Sequence, residues 1–463
     1  MPRLHVCRRP LDRPTSALVL VCAAWKALLL LIAFASPGPG YDTSTTLLLG
    51  HDAAASSLGA ASAPWSATLG ERLVSKLVRW DAIYFTAAAA RGYQHEQEWA
   101  FSWAFSHLMA NAAKILPLAG DHLAALAWAG VVVSNASHLL SVLVLYQLVR
   151  LILPEPALHK TAFLTAVLHA LSPAGLFLAA PYGEALFSLL NFSGMLCYAY
   201  ARVQPNGPLS LAANLLCMLT SGLCFGLATM VRSNGLLSGL ILIYDVVRVL
   251  PGLLGQKSEM IATLMRLTGT VLAGCMVAGG SIIPQWVAYL QYCTLDQARP
   301  WCTKMPPSIY TWVQHHYWNV GFLRYWTLSN IPLFLLAAPT IWVLVGSALR
   351  VIRRFSARSG PAEKVSTEQN SSRTETAHLL VAFSIPQLAL ALLAVTNFHI
   401  QIVNRISSGY PLWYLAIASG MDCVNDPLSV AFASKDTCNS LARLMVIYAI
   451  VQGALFASFL PPA

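Results

Sequence analysis

Arg79-Trp80-Asp81 closes a loop in a chain that is otherwise mostly apolar, and a carboxylate beside apolar segments needs a reason. The next turn of that loop, Gly92-Tyr93-Gln94-His95-Glu96-Gln97-Glu98-Trp99-Ala100-Phe101, adds Glu96 and Glu98. Three further polar groupings interrupt apolar runs: Pro181-Tyr182-Gly183-Glu184, Arg232-Ser233-Asn234, and the stretch from His399 to Arg405. A carboxylate can take a proton from a hydroxyl. An arginine holds phosphate oxygens in a two-pronged bond and never loses its charge. Carboxylates close together next to lipid suggest chemistry on a lipid-linked substrate.

The elements that must position these groups are membrane helices. The chain has 463 residues, 57% hydrophobic and only 10% charged, against roughly a quarter charged in soluble domains. Its mean hydropathy is +0.60. The net charge of +10 comes with no dense basic domain, which argues against nucleic acid. An excess of Lys and Arg on the cytosolic side of a membrane explains it more simply. Apolar runs long enough to cross a bilayer fall near 16–36, 122–149, 161–180, 183–201, 209–231, 235–250, 267–291, 327–349, 378–397, 406–421 and 441–460. The expected fold is therefore an all-α polytopic membrane protein of about eleven transmembrane helices, since a lipid-exposed backbone must satisfy its own hydrogen bonds.

Basic residues set the orientation. Arg3, Arg8, Arg9 and Arg13 precede the first span, and Ala33-Phe34-Ala35 resembles a cleavage site; the length of the apolar stretch favours a retained anchor. With the N-terminus cytosolic, Arg150, Lys160, Arg202, Arg248, Lys257 and Arg266 also face the cytosol. So does the largest cluster, Arg350, Arg353, Arg354, Arg358, Lys364 and Arg373. The four polar groupings then converge on the lumenal face, the expected form of an active site at a membrane. The whole of 1–463 reads as one domain, with 37–121 as the first lumenal loop and 350–377 as a flexible cytosolic loop. That placement puts the sequon Asn370-Ser371-Ser372 on the side where it is not modified. Residues from Glu71 to Lys114 look amphipathic, with Trp65, Trp80, Trp99 and Trp103 at the membrane interface and Trp80 fixing the loop's depth.

Of ten cysteines only Cys293 and Cys302 share a short polar loop, where an oxidising lumen would allow a disulfide. No CxxC pattern points to zinc, and no second Asp stands two residues after Asp81 to form the Asp-X-Asp pair that holds a divalent cation. Neither a metal nor a cofactor is expected.

The motifs resemble one family. Arg79-Trp80-Asp81-Ala82-Ile83-Tyr84-Phe85, Arg91-Gly92-Tyr93 and Glu96 through Phe101 carry the likeness first. Pro173-Ala174, Pro181-Tyr182-Gly183-Glu184-Ala185-Leu186-Phe187-Ser188 and Val231-Arg232-Ser233-Asn234-Gly235-Leu236 continue it. Gln401 to Arg405 and Ser407-Ser408-Gly409-Tyr410-Pro411 complete it. In order and spacing these resemble the PIG-V family, the GPI mannosyltransferase 2 enzymes. The Gln97-Glu98-Trp99-Ala100-Phe101-Ser102-Trp103 wording is similar to the fungal branch, and the Phe-Phe-Pro turn of animal relatives is missing near 101–103. The resemblance implies a GT-C-type glycosyltransferase in the endoplasmic reticulum membrane with lumenal active-site loops. It implies dolichyl-phosphate-mannose as donor, a mannosylated glucosaminyl-phosphatidylinositol as acceptor, and an α-1,6 bond. Whether a small membrane helper subunit is needed stays open.

Such a transfer from a β-linked donor inverts the anomeric carbon. It needs a base opposite the leaving phosphate, and the transition state develops positive charge that a carboxylate favours. Asp81 is the expected base, with Glu96 sharing that role or holding the acceptor sugar. Arg232 and Arg405 are expected at the phosphate, with His399 as a further donor to it. Glu184 is expected to orient Arg232 or the donor sugar, and Asn234 to bond a sugar hydroxyl. Arg79, Trp80, Glu98 and Tyr182 complete the expected substrate-binding set. Plainer roles exist for each. Asp81 could cap a helix or pair with Arg79 or Arg91, and Glu184 or Asn234 could simply cap helices. The arginines could snorkel, and His399 could be a bonded core residue. A secondary transporter would also be polytopic, but it usually carries inverted repeats and a midplane site, and the sequence shows neither. Another dolichol-dependent mannosyltransferase and a non-catalytic subunit of a GPI-processing complex are the remaining alternatives.

Overall fold

The computed structural model describes residues 10–37, 42–49, 69–116, 122–203, 208–254, 257–294, 299–356, 368–423 and 428–460. Among them there is no strand. The principal helices are α1 (Pro14–Ala35), α2 (Asp81–Arg91), α3 (Trp103–Ile115), α4 (His122–Ile152), α5 (His159–Ala170), α6 (Glu184–Val203) and α7 (Pro208–Val231). There follow α8 (Gly239–Val249), α9 (Lys257–Tyr292), α10 (Ile309–Trp318), α11 (Ile331–Ser356), α12 (Glu368–Thr396), α13 (Leu412–Asp422) and α14 (Lys435–Ala457).

Eight of the eleven expected spans are helical stretches long and apolar enough to cross a membrane, the one at Ser233–Leu253 being α8 extended by 3-10 turns at both ends. Of the other three, α6 covers its expected run as one helix but is less apolar, and the remaining two are interrupted; all three are largely enclosed by protein, so lipid does not select their residues. α13 has only eleven residues, nearly all buried. α6 buries Glu184, Ser188 and Asn191 along its length. The run expected as one span at 161–180 breaks after Ala170, where Pro173, Gly175 at φ 49° and Pro181 end regular helix.

That break exposes backbone groups, and side chains from three other helices satisfy them. Lys26 of α1 donates to the Leu178 carbonyl at 2.6 Å, and Asn135 of α4 donates to Ala179 at 2.9 Å. Ser134 donates to the Tyr182 carbonyl at 3.1 Å, and the Leu176 N–H donates to Gln452 of α14 at 3.1 Å. Irregular backbone at membrane depth is tolerated only with such partners. The segment 171–183 is thereby a fixed platform delivering Glu184.

Polar contacts collect at two ends of the bundle. At one end Lys160 pairs with Asp422 at 2.6 Å, Arg202 with Asp245, and Arg248 with Glu375. At the other end lie Asp81, Glu184, Arg232 and Arg405. The helices α11 and α12 run on through 350–356 and 368–377, which the sequence suggested was loop; 357–367 lies outside the described residues, as does Trp65. Cys293 and Cys302 form a disulfide in the segment that leads from α9 to α10.

Helices α7 and α9 touch backbone to backbone. A Cβ at Gly226 would lie 2.6 Å from the Met276 carbonyl oxygen, and one at Gly280 would lie 2.1 Å from the Gly226 carbonyl oxygen. Small residues permit this approach, on which helix association in lipid depends. Gly226→Ala should destabilise the purified protein by about 1–3 kcal/mol through overpacking. Gly279→Ala, where a Cβ meets open space, should leave the unfolding midpoint in place. Equal midpoints for the two variants would refute the close α7–α9 contact.

Candidate active site

Asp81 is the first residue of α2, and its placement begins with a strained neighbour. Trp80 sits at φ 55°, a left-handed conformation that a bulky residue rarely adopts. Such a residue costs on the order of 1–3 kcal/mol and persists only where its surroundings hold it. Here the Tyr182 hydroxyl donates to the Arg79 carbonyl at 2.8 Å, and the Trp80 ring packs on Phe459 with centroids 5.1 Å apart. The turn lifts Asp81 to the helix N-terminus, where the helix dipole favours a negative charge.

Four charged side chains then form a row. Arg405 donates to Asp81 at 2.6 Å. The Arg405 Nε lies 3.2 Å from Glu184 Oε1, a charge contact without hydrogen-bond alignment. Arg232 donates to the same Oε1 at 2.6 Å. The order is therefore Asp81, Arg405, Glu184, Arg232, and the formal charges cancel. Glu184 is fully buried, while its Oε2 and the Nε of Arg232 have no hydrogen-bond partner among the described residues. The Arg405 guanidinium also lies 4.9 Å from the Phe177 ring centroid and 5.7 Å from that of Tyr182, a favourable placement for a cation.

Asp81, Arg232 and Arg405 line a cavity of about 310 Å³. Asn234 and His399 line it too. Asn234 donates to the Tyr410 hydroxyl at 3.3 Å, and its carbonyl accepts from that hydroxyl at 3.0 Å, so it is partly engaged in the fold. His399 Nε2 contacts the Trp318 carbonyl at 3.0 Å and its ring stacks on Tyr325, which makes it a strut in the cavity wall.

The remaining expected residues are not brought to the cavity. Glu96 accepts from the Trp301 indole at 3.0 Å and lies 3.7 Å from Arg299, so it ties the first loop to the disulfide-bearing segment. Glu98 is buried, bonded to Arg91 at 2.5 Å and to the backbone N–H groups of Gln94 and His95. Burial opposes its ionisation, yet those bonds hold its carboxyl below the usual range. Arg79 and Tyr182 are buried supports beneath Asp81. Trp80 packs against Phe459 rather than standing free at an interface, and Trp99 is buried as well. In each case a side chain expected to meet substrate is committed to holding the loop.

Other residues of the cavity were not expected. Gln285, Tyr310, Gln314 and Trp318 line it, with Phe101 and Trp103. The spacing of Tyr310, Gln314 and Trp318 at four-residue steps was a legible signal, but only once that stretch is known to be a helix over a cavity.

A sequence profile of the family described as Mannosyltransferase (PIG-V) matches residues 17–463. The chain is 41% identical over 459 residues to GPI mannosyltransferase 2 of Aspergillus oryzae, covering 98% of this chain and 96% of that protein. It is 31% identical to GPI mannosyltransferase 2 of Yarrowia lipolytica, covering 97% of this chain and 99% of that one. Among solved structures, the archaeal oligosaccharyltransferase AglB from Archaeoglobus fulgidus, in complex with an inhibitory peptide and a dolichol-phosphate, is similar at 12% identity and a TM-score of 0.47. That match covers 96% of this chain, and the chain spans 56% of the archaeal protein.

Glu184 lies against two arginines, so removing it leaves the partly buried Arg232 without its ion-pair partner and Arg405 with Asp81 alone. Glu184→Ala should destabilise the purified protein by roughly 3–5 kcal/mol, the usual result of breaking a buried pair on one side. The check is the unfolding midpoint in detergent; no change would mean that Arg232 and Arg405 do not depend on this carboxylate.

Proposed function

The chain belongs to the mannosyltransferase (PIG-V) family, and from that premise we propose how its cavity transfers the second mannose of the GPI anchor. The protein is a multi-pass membrane mannosyltransferase of GPI-anchor biosynthesis. The proposed donor is dolichyl-phosphate-mannose and the proposed acceptor is the mannosyl-glucosaminyl-phosphatidylinositol precursor. The bond formed is α-1,6, made with inversion, on the lumenal side of the endoplasmic reticulum membrane. A GT-C-type architecture and a small helper subunit belong to the same reading, on the family resemblance.

The observation that carries the mechanism is the charge row along the cavity. Asp81 stands at one end and Arg232 at the other, with Arg405 and Glu184 between them. A single displacement needs its base and its leaving phosphate on opposite sides of the anomeric carbon. We assign Arg232 as the main phosphate anchor, because it is the cation farther from Asp81 in the row. Arg405 orients the Asp81 carboxylate and is shared with the phosphate as charge moves onto it. The acceptor oxygen bonds to the anomeric carbon and gives its proton to Asp81 while the mannosyl carbon–phosphate oxygen bond breaks, and that electron pair leaves with dolichyl phosphate. Glu184 keeps both guanidiniums in place and acts as a positioning residue. Glu96 and Glu98 have no direct part, since both are tied up in the loop.

Asp81→Asn removes the proposed base while keeping the side-chain shape. It should lower kcat by about 10²–10⁴-fold, measured with purified enzyme and both lipid substrates. A variant retaining full turnover would remove Asp81 from the mechanism. Depleting the protein in cells should make the one-mannose GPI precursor accumulate, and an unaltered precursor profile would sink the reading.

A further inference from the structure

Tyr310, Gln314 and Trp318 of α10 line the same cavity as the charge row. They stand at i, i+4 and i+8, so they form one stripe along the helix. Val313 lies off that stripe, buried with Trp99 and Trp301. The stripe has a direction. At its start the Tyr310 hydroxyl bonds the Ser233 hydroxyl at 2.7 Å, next to Arg232. At its end the Trp318 ring meets Phe101 edge-on at 5.6 Å. Phe101 in turn packs on Phe85, one helical turn beyond Asp81 on α2. The stripe therefore runs from the phosphate end of the row to the base end.

Gln314 differs from the other amides of this cavity. Asn234 is bonded to Tyr410. Gln285 contacts the Ser281 carbonyl at 3.5 Å through its NH₂ group and accepts from Ser308 through its oxygen. The side-chain amide of Gln314 makes no hydrogen bond among the described residues, although it is half-buried and faces the cavity. An amide offers both a donor and an acceptor, which is what a sugar hydroxyl requires. The backbone that carries it is held firmly. Ser308 caps the helix start by accepting from the Thr311 N–H at 3.2 Å. His399 holds the Trp318 carbonyl at the other end, and the Cys293–Cys302 disulfide closes the preceding segment.

We propose that Gln314 and Trp318 are the acceptor-sugar subsite. The Gln314 amide bonds hydroxyls of the acceptor's terminal mannose, and the Trp318 ring supports the apolar face of that sugar. Two arguments select the acceptor over the donor. The hydroxyl that attacks must lie against Asp81, and Trp318 is at that end of the stripe. The donor sugar is bonded directly to its phosphate, which the row draws toward Arg232 at the far end. The assignment rests on the mannosyltransfer reading above and names its specificity residues.

Steady-state kinetics on the full-length enzyme test it, using dolichyl-phosphate-mannose and a synthetic mannosyl-glucosaminyl-inositol phospholipid. Gln314→Ala and Trp318→Leu should each raise the acceptor KM by about tenfold, the scale of one lost hydrogen bond or packing contact. The donor KM and kcat should stay within about twofold of wild type, as expected where uniform binding is lost. The donor KM, measured on the same preparations, reports that each variant is folded. An unchanged acceptor KM in both variants, or a rise confined to the donor KM, would overturn the subsite. A wild-type enzyme inactive on this acceptor would instead overturn the underlying reading, which keeps the two failures apart.

Discussion

One buried carboxylate organises the site. Glu184 Oε1 lies at ion-pair distance from both Arg232 and Arg405, and Arg405 reaches Asp81 from the same place. A carboxylate removed from water is expensive unless opposite charges surround it. Two arginines from distant parts of the chain are thus bound to the position of Glu184. The row is neutral as it stands, so in the proposed mechanism an arriving phosphate would compete for an arginine that is already partnered. Under that proposal, any share of the phosphate that Arg405 takes would loosen its hold on Asp81.

Glu184 can occupy that place because the chain before it, apart from a short 3-10 turn at Gly175–Leu178, is not regular helix. Pro173, Gly175 and Pro181 stop α5 short and send residues 171–183 through the protein as irregular backbone. Lys26, Asn135, Ser134 and Gln452 bond that backbone from α1, α4 and α14. The same segment supplies Tyr182, whose hydroxyl supports the strained turn at Trp80. A local failure to form helix is thereby converted into the rigid support that both Asp81 and Glu184 share.

The sequence-level reading went furthest where lipid acts directly on residue choice. Eight apolar runs became membrane-length helical stretches with bounds close to those expected. Of the three weaker runs, the one at 183–201 forms a single helix, α6, at nearly the expected bounds, while those at 161–180 and 406–421 break into shorter pieces; all three carry polar residues buried inside the protein. Site residues divided in the same way. Asp81, Arg232, Asn234, His399 and Arg405 reach one cavity, with Glu184 behind them. Glu96, Glu98, Arg79, Trp80 and Tyr182 share the motifs but make contacts within the fold, since a motif records which residues go together and not which of them faces the cavity.

The sequence by itself determined the class of molecule, the membrane helices and the few polar groups worth placing at one face. It could do so because burying charge in lipid is so costly that the exceptions announce themselves. The tertiary structure decided the partners. Asp81 and Arg405 are 324 positions apart yet 2.6 Å from contact to contact, and no local pattern encodes which arginine will meet which carboxylate. It also decided that α10, unremarked in the sequence, faces the cavity through Gln314 and Trp318. Helical spacing is written along the chain, but the side on which a helix meets its neighbours is set by packing.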